Sequence, residues 1–265
     1  DPFPDLDGRL PEVPASALGT DLVGGAVGHH GALIVRGLFS DDQVARCVEA
    51  IDHAHAVRAE VAAGEHEPDT AYRPVRTETP MKTQVLRKMV GEQGGIWLAD
   101  SPSATAVALD ALHDVGAVTM MTEHFGERPF FSLQKSTLRR SQPEPRLVAW
   151  HQDGSFLDAD VRTMNIWVAL TPCGADRPTP GLEVVPRRMH EVLPVDGVMS
   201  PHSIDYDLVD SIAAETPTVV PEFEPGDAIV FDERFLHRTH LPPEMDSPRY
   251  ALECWFFAPS RHSSR

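Results

Sequence analysis

The sequence predicts a mainly β fold, a jelly roll of the sandwich or barrel kind with α-helices packed on its outside. Two patterns carry that reading. Helical periodicity is confined to the first half of the chain, and from about residue 129 it gives way to short β-rich runs punctuated by Pro, Gly and Asp. Helices first and strands afterwards place the helices against the outside of a sheet assembly rather than between parallel strands. With 265 residues, 42% of them hydrophobic, and no internal repeat, the chain is expected to bury one core as a single domain over residues 1–265.

Residues 1–20 are Pro-rich and polar, and residues 1–30 are expected to form a peripheral N-terminal segment. GALIVRGLF (31–39) reads as a short buried strand. Ser40 then offers an N-cap, Asp41 and Asp42 occupy a first turn, and Val44, Cys47, Val48 and Ile51 recur at helical spacing towards a stop at Gly64. Segment 64–97 is irregular in pattern and is expected to be a lid or substrate loop. A second helix is expected from Ser101-Pro102 to Phe125, with Val107, Ala111, Leu112, Val115 and Val118 on one apolar face and Gly126 as its stop. The β runs follow: PFFSLQKSTL, RLVAWHQD, RTMNIWVALT, GLEVVP, TPTVVPEF, DAIVFD and RYALECWFF. They are interrupted by segment 187–216, a second expected lid loop with a helix near 207–214.

Bulk properties narrow the function. A net charge of -17 argues against nucleic-acid binding, which normally shows a basic patch. No apolar run approaches the roughly 20 residues of a membrane span, and DPFPDLDGRLPEVP shows no signal-peptide pattern. Cys47, Cys173 and Cys254 form no CxxC pair, which suits structural thiols in a reducing compartment. The expectation is a cytoplasmic monomer or homodimer acting on a small molecule, with no nucleic-acid or membrane partner.

The chemistry concentrates in His151-Gln152-Asp153, His237 and Arg249. Alternate residues of an extended strand share a face, so His151 and Asp153 can offer two adjacent metal ligands. His237 follows the strand-forming DAIVF run and is the preferred third, with His240 its strongest competitor. Two imidazoles and one carboxylate are the ligand set of the facial triad that holds non-haem Fe(II) and leaves coordination positions open. Arg249 opens the strand after His237, where an antiparallel return brings its planar fork back to face an acidic cosubstrate. With 13 histidines in the chain, an HxD triplet alone arises easily by chance. His53 and His55, two apart on a helix, cannot face one ion. Asp232 and Glu233 read as solvated turn residues. A zinc-dependent hydrolase uses the same ligand types but needs a general base beside the bound water; a cupin-like metal-binding protein without turnover is the third possibility.

In order and spacing, GALIVRGLFS, WHQDGSF, WVALTPCGADRPTPGLEVVP, FEPGDAIVFDERFLH and Arg249 resemble the phytanoyl-CoA dioxygenase family of Fe(II)/2-oxoglutarate oxygenases, which includes ectoine hydroxylase. The resemblance spans residues 31–258. It implies a double-stranded β-helix with supporting N-terminal helices. It also implies Fe(II), 2-oxoglutarate and O2 as cofactor and cosubstrates, with hydroxylation of an unactivated C–H bond and release of succinate and CO2. By matching position it implies His151, Asp153 and His237 as iron ligands and Arg249 as the partner of the distal 2-oxoglutarate carboxylate. Gln134, Trp167, Thr239 and Lys88 would be further cosubstrate contacts. The retained Asp153 argues against halogenation, which in related enzymes leaves that position to chloride. Two departures from the family pattern stand out: Pro186-Arg187-Arg188-Met189-His190 where Gly-Ser-His is common, and Ala251 where a Ser often accompanies the arginine. Tyr72, Arg76, Phe156 and Arg162 are candidate substrate contacts by location alone, and the basic residues Lys82, Arg87, Lys88, Arg139, Arg140 and Arg146 either meet an anionic or carrier-bound substrate or stand as solvated surface charges.

Overall fold

A computed structural model describes residues 1–4, 6, 8–75, 81–142, 148–158, 160–241 and 244–261, and for 81–86 the backbone alone. The chain starts with β1 (Glu12–Pro14), α1 (Thr20–His30) and β2 (Ala32–Arg36), and β1 pairs parallel with β2. Residues 12–30 are therefore built into the fold rather than peripheral: Val23, Ala26 and Val27 of α1 are buried. Helix α2 (Asp41–Ala63) begins as its sequence predicts. The Ser40 hydroxyl accepts from the Gln43 amide at 3.3 Å, the Gln43 side chain accepts from the Ser40 amide at 2.8 Å, and Gly64 closes the helix at φ 74°. Segment 64–97 is more regular than its pattern suggests, containing α3 (Met81–Glu92) and β3 (Gly95–Trp97).

The expected second helix is two, α4 (Pro102–Asp114) and α5 (Ala117–Phe125). Gly116 at φ 70° breaks the axis between them, so the apolar stripe read across the break does not hold: Val118 faces solvent. Then come β4 (Phe130–Phe131), β5 (Thr137–Ser141), β6 (Thr163–Ala169), β7 (Gly181–Val184), α6 (Tyr206–Glu215), β8 (Ala228–Asp232), β9 (His237–His240) and β10 (Arg249–Phe257).

The larger sheet runs in the order β1-β2-β8-β6-β10-β5-β3, with β4 also on β10; the smaller pairs β7 with β9. Bridges from His151 to His237 and from Val184 to Val219 widen the smaller sheet on both sides. Two sheets of mostly antiparallel, non-sequential strands make the jelly roll that the punctuation of the sequence predicts. Alternation sorts the larger sheet's side chains. Leu33, Val35, Met164, Ile166, Val168, Val230, Leu252 and Phe256 pack outward against the helices in the main core. Ile34, Trp167, Ile229, Phe231 and Ala251 point the other way, meeting Leu182 and Val184 from the smaller sheet and Phe235 from the turn before it. A third cluster, including Trp150, Ile204, Val209 and Leu236, seats α6. All three cysteines are free and buried. No helix among the described residues is long and apolar enough to cross a membrane.

Candidate metal centre

Between the two sheets, His151, Asp153 and His237 come together with one ligand atom of each lying within 4.8 Å of the others. Backbone pairing positions the two histidines: His151 donates its amide to the His237 carbonyl at 3.0 Å and accepts from the His237 amide at 3.1 Å. Their ring centroids are 4.4 Å apart. Each ring is oriented by its own chain, His151 Nδ1 lying 3.1 Å from the Ala149 carbonyl and His237 Nδ1 3.0 Å from that of Phe235. A carbonyl can only accept, so both Nδ1 atoms carry the proton and both Nε2 lone pairs remain for a metal. Extended backbone at Gln152 (φ −118°, ψ 139°) keeps Asp153 on the same side as His151, although Asp153 opens a short 3-10 turn rather than continuing a strand.

The electrostatics fit a cation. Burial drives the His151 imidazole down to about 4, helped by neighbouring His237, and burial also lowers His237. Both rings are therefore neutral at ordinary pH. Burial pushes the Asp153 carboxyl up to about 6, opposed by His151. Its Oδ1 is 3.9 Å from His151 Nε2, and its Oδ2 accepts a short hydrogen bond from the Asn165 amide. Two neutral imidazoles and an undercompensated buried carboxylate are suited to a divalent metal. His240, three residues past His237 on β9, falls on the opposite face of the strand and is no ligand. Among the described residues no second trio of this kind occurs.

Residues around the trio hold it in place. Gln152 is fully buried, its amide donating to the Arg234 carbonyl at 2.6 Å and the Glu191 carbonyl at 3.1 Å and accepting from the Leu193 amide at 2.6 Å. It ties the 191–193 stretch of segment 187–216 to the residues on either side of it. Asp232 and Glu233 are buried rather than solvated. Asp232 pairs with Arg188 at 2.5 Å, and Glu233 accepts from the Thr163 amide at 2.9 Å while its carbonyl accepts from the Gly154 amide at 2.7 Å.

The expected cosubstrate contacts divide. Arg249 is 2% exposed at the start of β10, donating to the Gly181 carbonyl at 2.9 Å, with its guanidinium 5.5 Å from the Trp167 ring. Trp167 lies on the inward face of β6, and its indole N–H is buried without a hydrogen-bond partner, a donor that a bound acid would satisfy. Thr239 lies two residues past His237 on β9 and faces the same side, opposite Leu182. Gln134 instead is exposed in the turn before β5. Lys88 sits on the outer side of α3, 3.7 Å from Glu92, and lines a cavity of about 500 Å³ that includes none of the trio.

Of the candidate substrate contacts, Phe156 stands beside the centre, its ring 5.5 Å from that of His151. Tyr72 packs on the helical core and lines the α3 cavity, and Arg162 is exposed with its guanidinium 5.9 Å from the Phe125 ring. Both were placed by location in the sequence, which says nothing about direction. Arg76 lies outside the described residues.

Sequence reasoning missed the inward wall of the larger sheet. Strand period 2 on RYALECWFF sets Arg249, Ala251, Glu253 and Trp255 on one face. Beside them are Asn165, opposite Trp255, and Arg139, which holds Glu253 through contacts of 2.7 and 3.1 Å. Counting alternate residues from Arg249 finds this wall in the sequence alone.

The sequence model described as phytanoyl-CoA dioxygenase (PhyH) matches residues 28–241. No curated protein sequence matches the chain. Among solved structures, EctD from S. alaskensis with 2-oxoglutarate and 5-hydroxyectoine is 21% identical with a TM-score of 0.62, covering 90% of this chain and 76% of that one. AviO1 from Streptomyces viridochromogenes Tue57 is 18% identical with a TM-score of 0.58, over 94% of this chain and 99% of that one. EvdO2 from Micromonospora carbonacea var. aurantiaca complexed with 2-oxoglutarate is 18% identical with a TM-score of 0.58, over 89% of each chain.

Proposed function

The chain belongs to the phytanoyl-CoA dioxygenase family and is an Fe/2-oxoglutarate-dependent oxygenase; from that premise we propose that it hydroxylates an unactivated C–H bond of a small organic metabolite, with iron held by His151, Asp153 and His237. The balance is one substrate C–H converted to C–OH, with O2 and 2-oxoglutarate consumed and succinate and CO2 released. When bound, the iron supplies O2 activation coupled to decarboxylation of the 2-oxo acid.

The protein's residues supply placement. The carbonyls of Ala149 and Phe235 fix which imidazole nitrogens are free, and Asn165 restrains the Asp153 carboxylate. Arg249 offers its fork to the distal carboxylate of 2-oxoglutarate, with the Trp167 indole N–H and the Thr239 hydroxyl as further donors. Phe156 closes the side of His151, and segment 187–216, tied down through Gln152, forms the rim over the centre. Segment 64–97 is proposed as the other part of that rim.

The observation that carries this reading is the meeting of three metal-ligand atoms from distant segments within 4.8 Å, between sheets that also bury Arg249. The test is succinate formation and substrate hydroxylation by iron-loaded protein across a metabolite panel. Product formation must require both Fe(II) and 2-oxoglutarate. Turnover that persists without 2-oxoglutarate overturns the reading, as does a product lacking the added oxygen.

A further inference from the structure

We infer that the substrate carries an anionic group, a carboxylate or phosphate, and that Lys135 receives it. This deepens the oxygenase reading above and rests on it. The turn that carries Lys135 is sewn to β10 at Trp255: the Ser132 amide donates to the Trp255 carbonyl at 3.0 Å, and the Trp255 amide donates to the Ser136 hydroxyl at 3.0 Å. The turn thus sets Lys135 beside Trp255, with its ammonium 5.1 Å from the centre of that ring. Trp255 stands opposite Asn165, whose amide holds Asp153. The ammonium is thus on the wall that carries the metal centre, at the end of β10 remote from Arg249.

Among the described residues no carboxylate lies within ion-pairing distance of Lys135, whereas the other cation of this wall, Arg139, is taken up by Glu253. Burial lowers the lysine's pKa, and of the charged groups around it only Asp153 works in the opposite direction. In the loaded enzyme the formal charges of Fe(II), Asp153, 2-oxoglutarate and Arg249 cancel, and those of Arg139 and Glu253 cancel. Lys135 remains as the excess positive charge of the chamber. Part-burial of an ammonium carries a desolvation cost that the Trp255 face repays only in part, and an anionic ligand would supply the missing counter-charge. In a chain of net charge -17, anions are not attracted by the general field, so a local cation is what selects them.

The test uses the Fe(II)-loaded protein with saturating 2-oxoglutarate under nitrogen, so that Arg249 is already occupied. Calorimetry compares matched probes of one carbon skeleton: a carboxylic acid with its primary amide, a phosphate ester with its parent alcohol, and a primary amine. The expected result is that one class of acid binds about tenfold or more tighter than its neutral partner, the size of one charge-assisted hydrogen bond. Lys135→Gln should erase that preference, and Lys135→Arg should keep most of it. Which acid class wins tells carboxylate from phosphate. Equal binding of acid and neutral partner overturns the inference, as do tighter binding of the amine, failure of every acid to bind, or a preference that survives in Lys135→Gln. Failure of the oxygenase reading is distinct: the wild type would then not form succinate from 2-oxoglutarate with iron present, whatever the probe.

Discussion

Asp153 is a buried carboxylate whose side-chain donor is the Asn165 amide, so a cation is the remaining source of compensation. Asp153→Ala should therefore remove stoichiometric iron after desalting and lower succinate formation by roughly a hundredfold or more, the scale on which loss of an essential group acts. An iron-replete, active Asp153→Ala protein would show that the carboxylate is no ligand. Arg249 is tested by a gentler change. Arg249→Lys keeps the charge but loses the planar fork, and should raise the KM for 2-oxoglutarate about tenfold while changing kcat less. If KM for 2-oxoglutarate is unchanged, the distal carboxylate lies elsewhere. The meeting of the trio and the inward place of Arg249 were legible because an HxD triplet, a histidine after a strand and an arginine opening the next strand are local patterns. Gln134 was not, because its role was counted across a turn, and the turn leaves Gln134 outward and its neighbour Lys135 inward.

At the scale of elements, local chemistry set the ends of α2 and tertiary burial made α1. The Ser40–Gln43 capping box and Gly64 are both visible in the sequence, and Ser40→Ala should cost about 1 kcal/mol in urea denaturation with no change in iron binding. Helix α1, TDLVGGAVGHH, carries three glycines, each costing about 1 kcal/mol of helix propensity relative to alanine. Its sequence argues against a helix, and the burial of Val23, Ala26 and Val27 under the larger sheet overrides it. The break at Gly116 was equally hidden, because the apolar residues on either side continue at helical spacing. Gly226 leads into β8 at φ 91°, and a Cβ there would collide with the Phe39 carbonyl oxygen, while the Phe39 amide donates to the Gly226 carbonyl at 3.0 Å. Gly226→Ala should cost more than about 2 kcal/mol, combining left-handed strain with the clash. A small effect on the urea midpoint would mean that the 37–40 turn yields at little cost.

Across the whole molecule the metal centre joins segments that only the completed jelly roll brings together: the 151–153 corner, β9, and the wall of β6 and β10. The jelly roll itself was readable from punctuation and alternation, whereas the depth of the chamber depends on sheet order, which no local pattern encodes. Because the ligands assemble only on folding, iron binding adds to stability by mass action, about 2.7 kcal/mol when free iron is a hundred times its Kd. That gain depends on pH in a direction set by Asp153. In the metal-free protein its pKa is about 6, above the unfolded value, so the folded state holds a proton that the unfolded chain has released. This contribution is complete below the unfolded pKa and is lost as pH rises through about 6, where the metal-free protein comes to bury an unmatched charge. The imidazoles act oppositely: lowered by burial, they contribute stability at higher pH that is lost as pH falls, His151 taking a proton only near pH 4. Protons therefore compete with iron at Asp153 before they do so at His151. The rise in Tm on adding Fe(II) under nitrogen should be large at neutral pH, shrink as pH falls through about 6 and vanish near 4, and in Asp153→Ala it should be small at every pH. A rise that stays constant from neutral pH down to 5 would place the ion on groups other than this carboxylate.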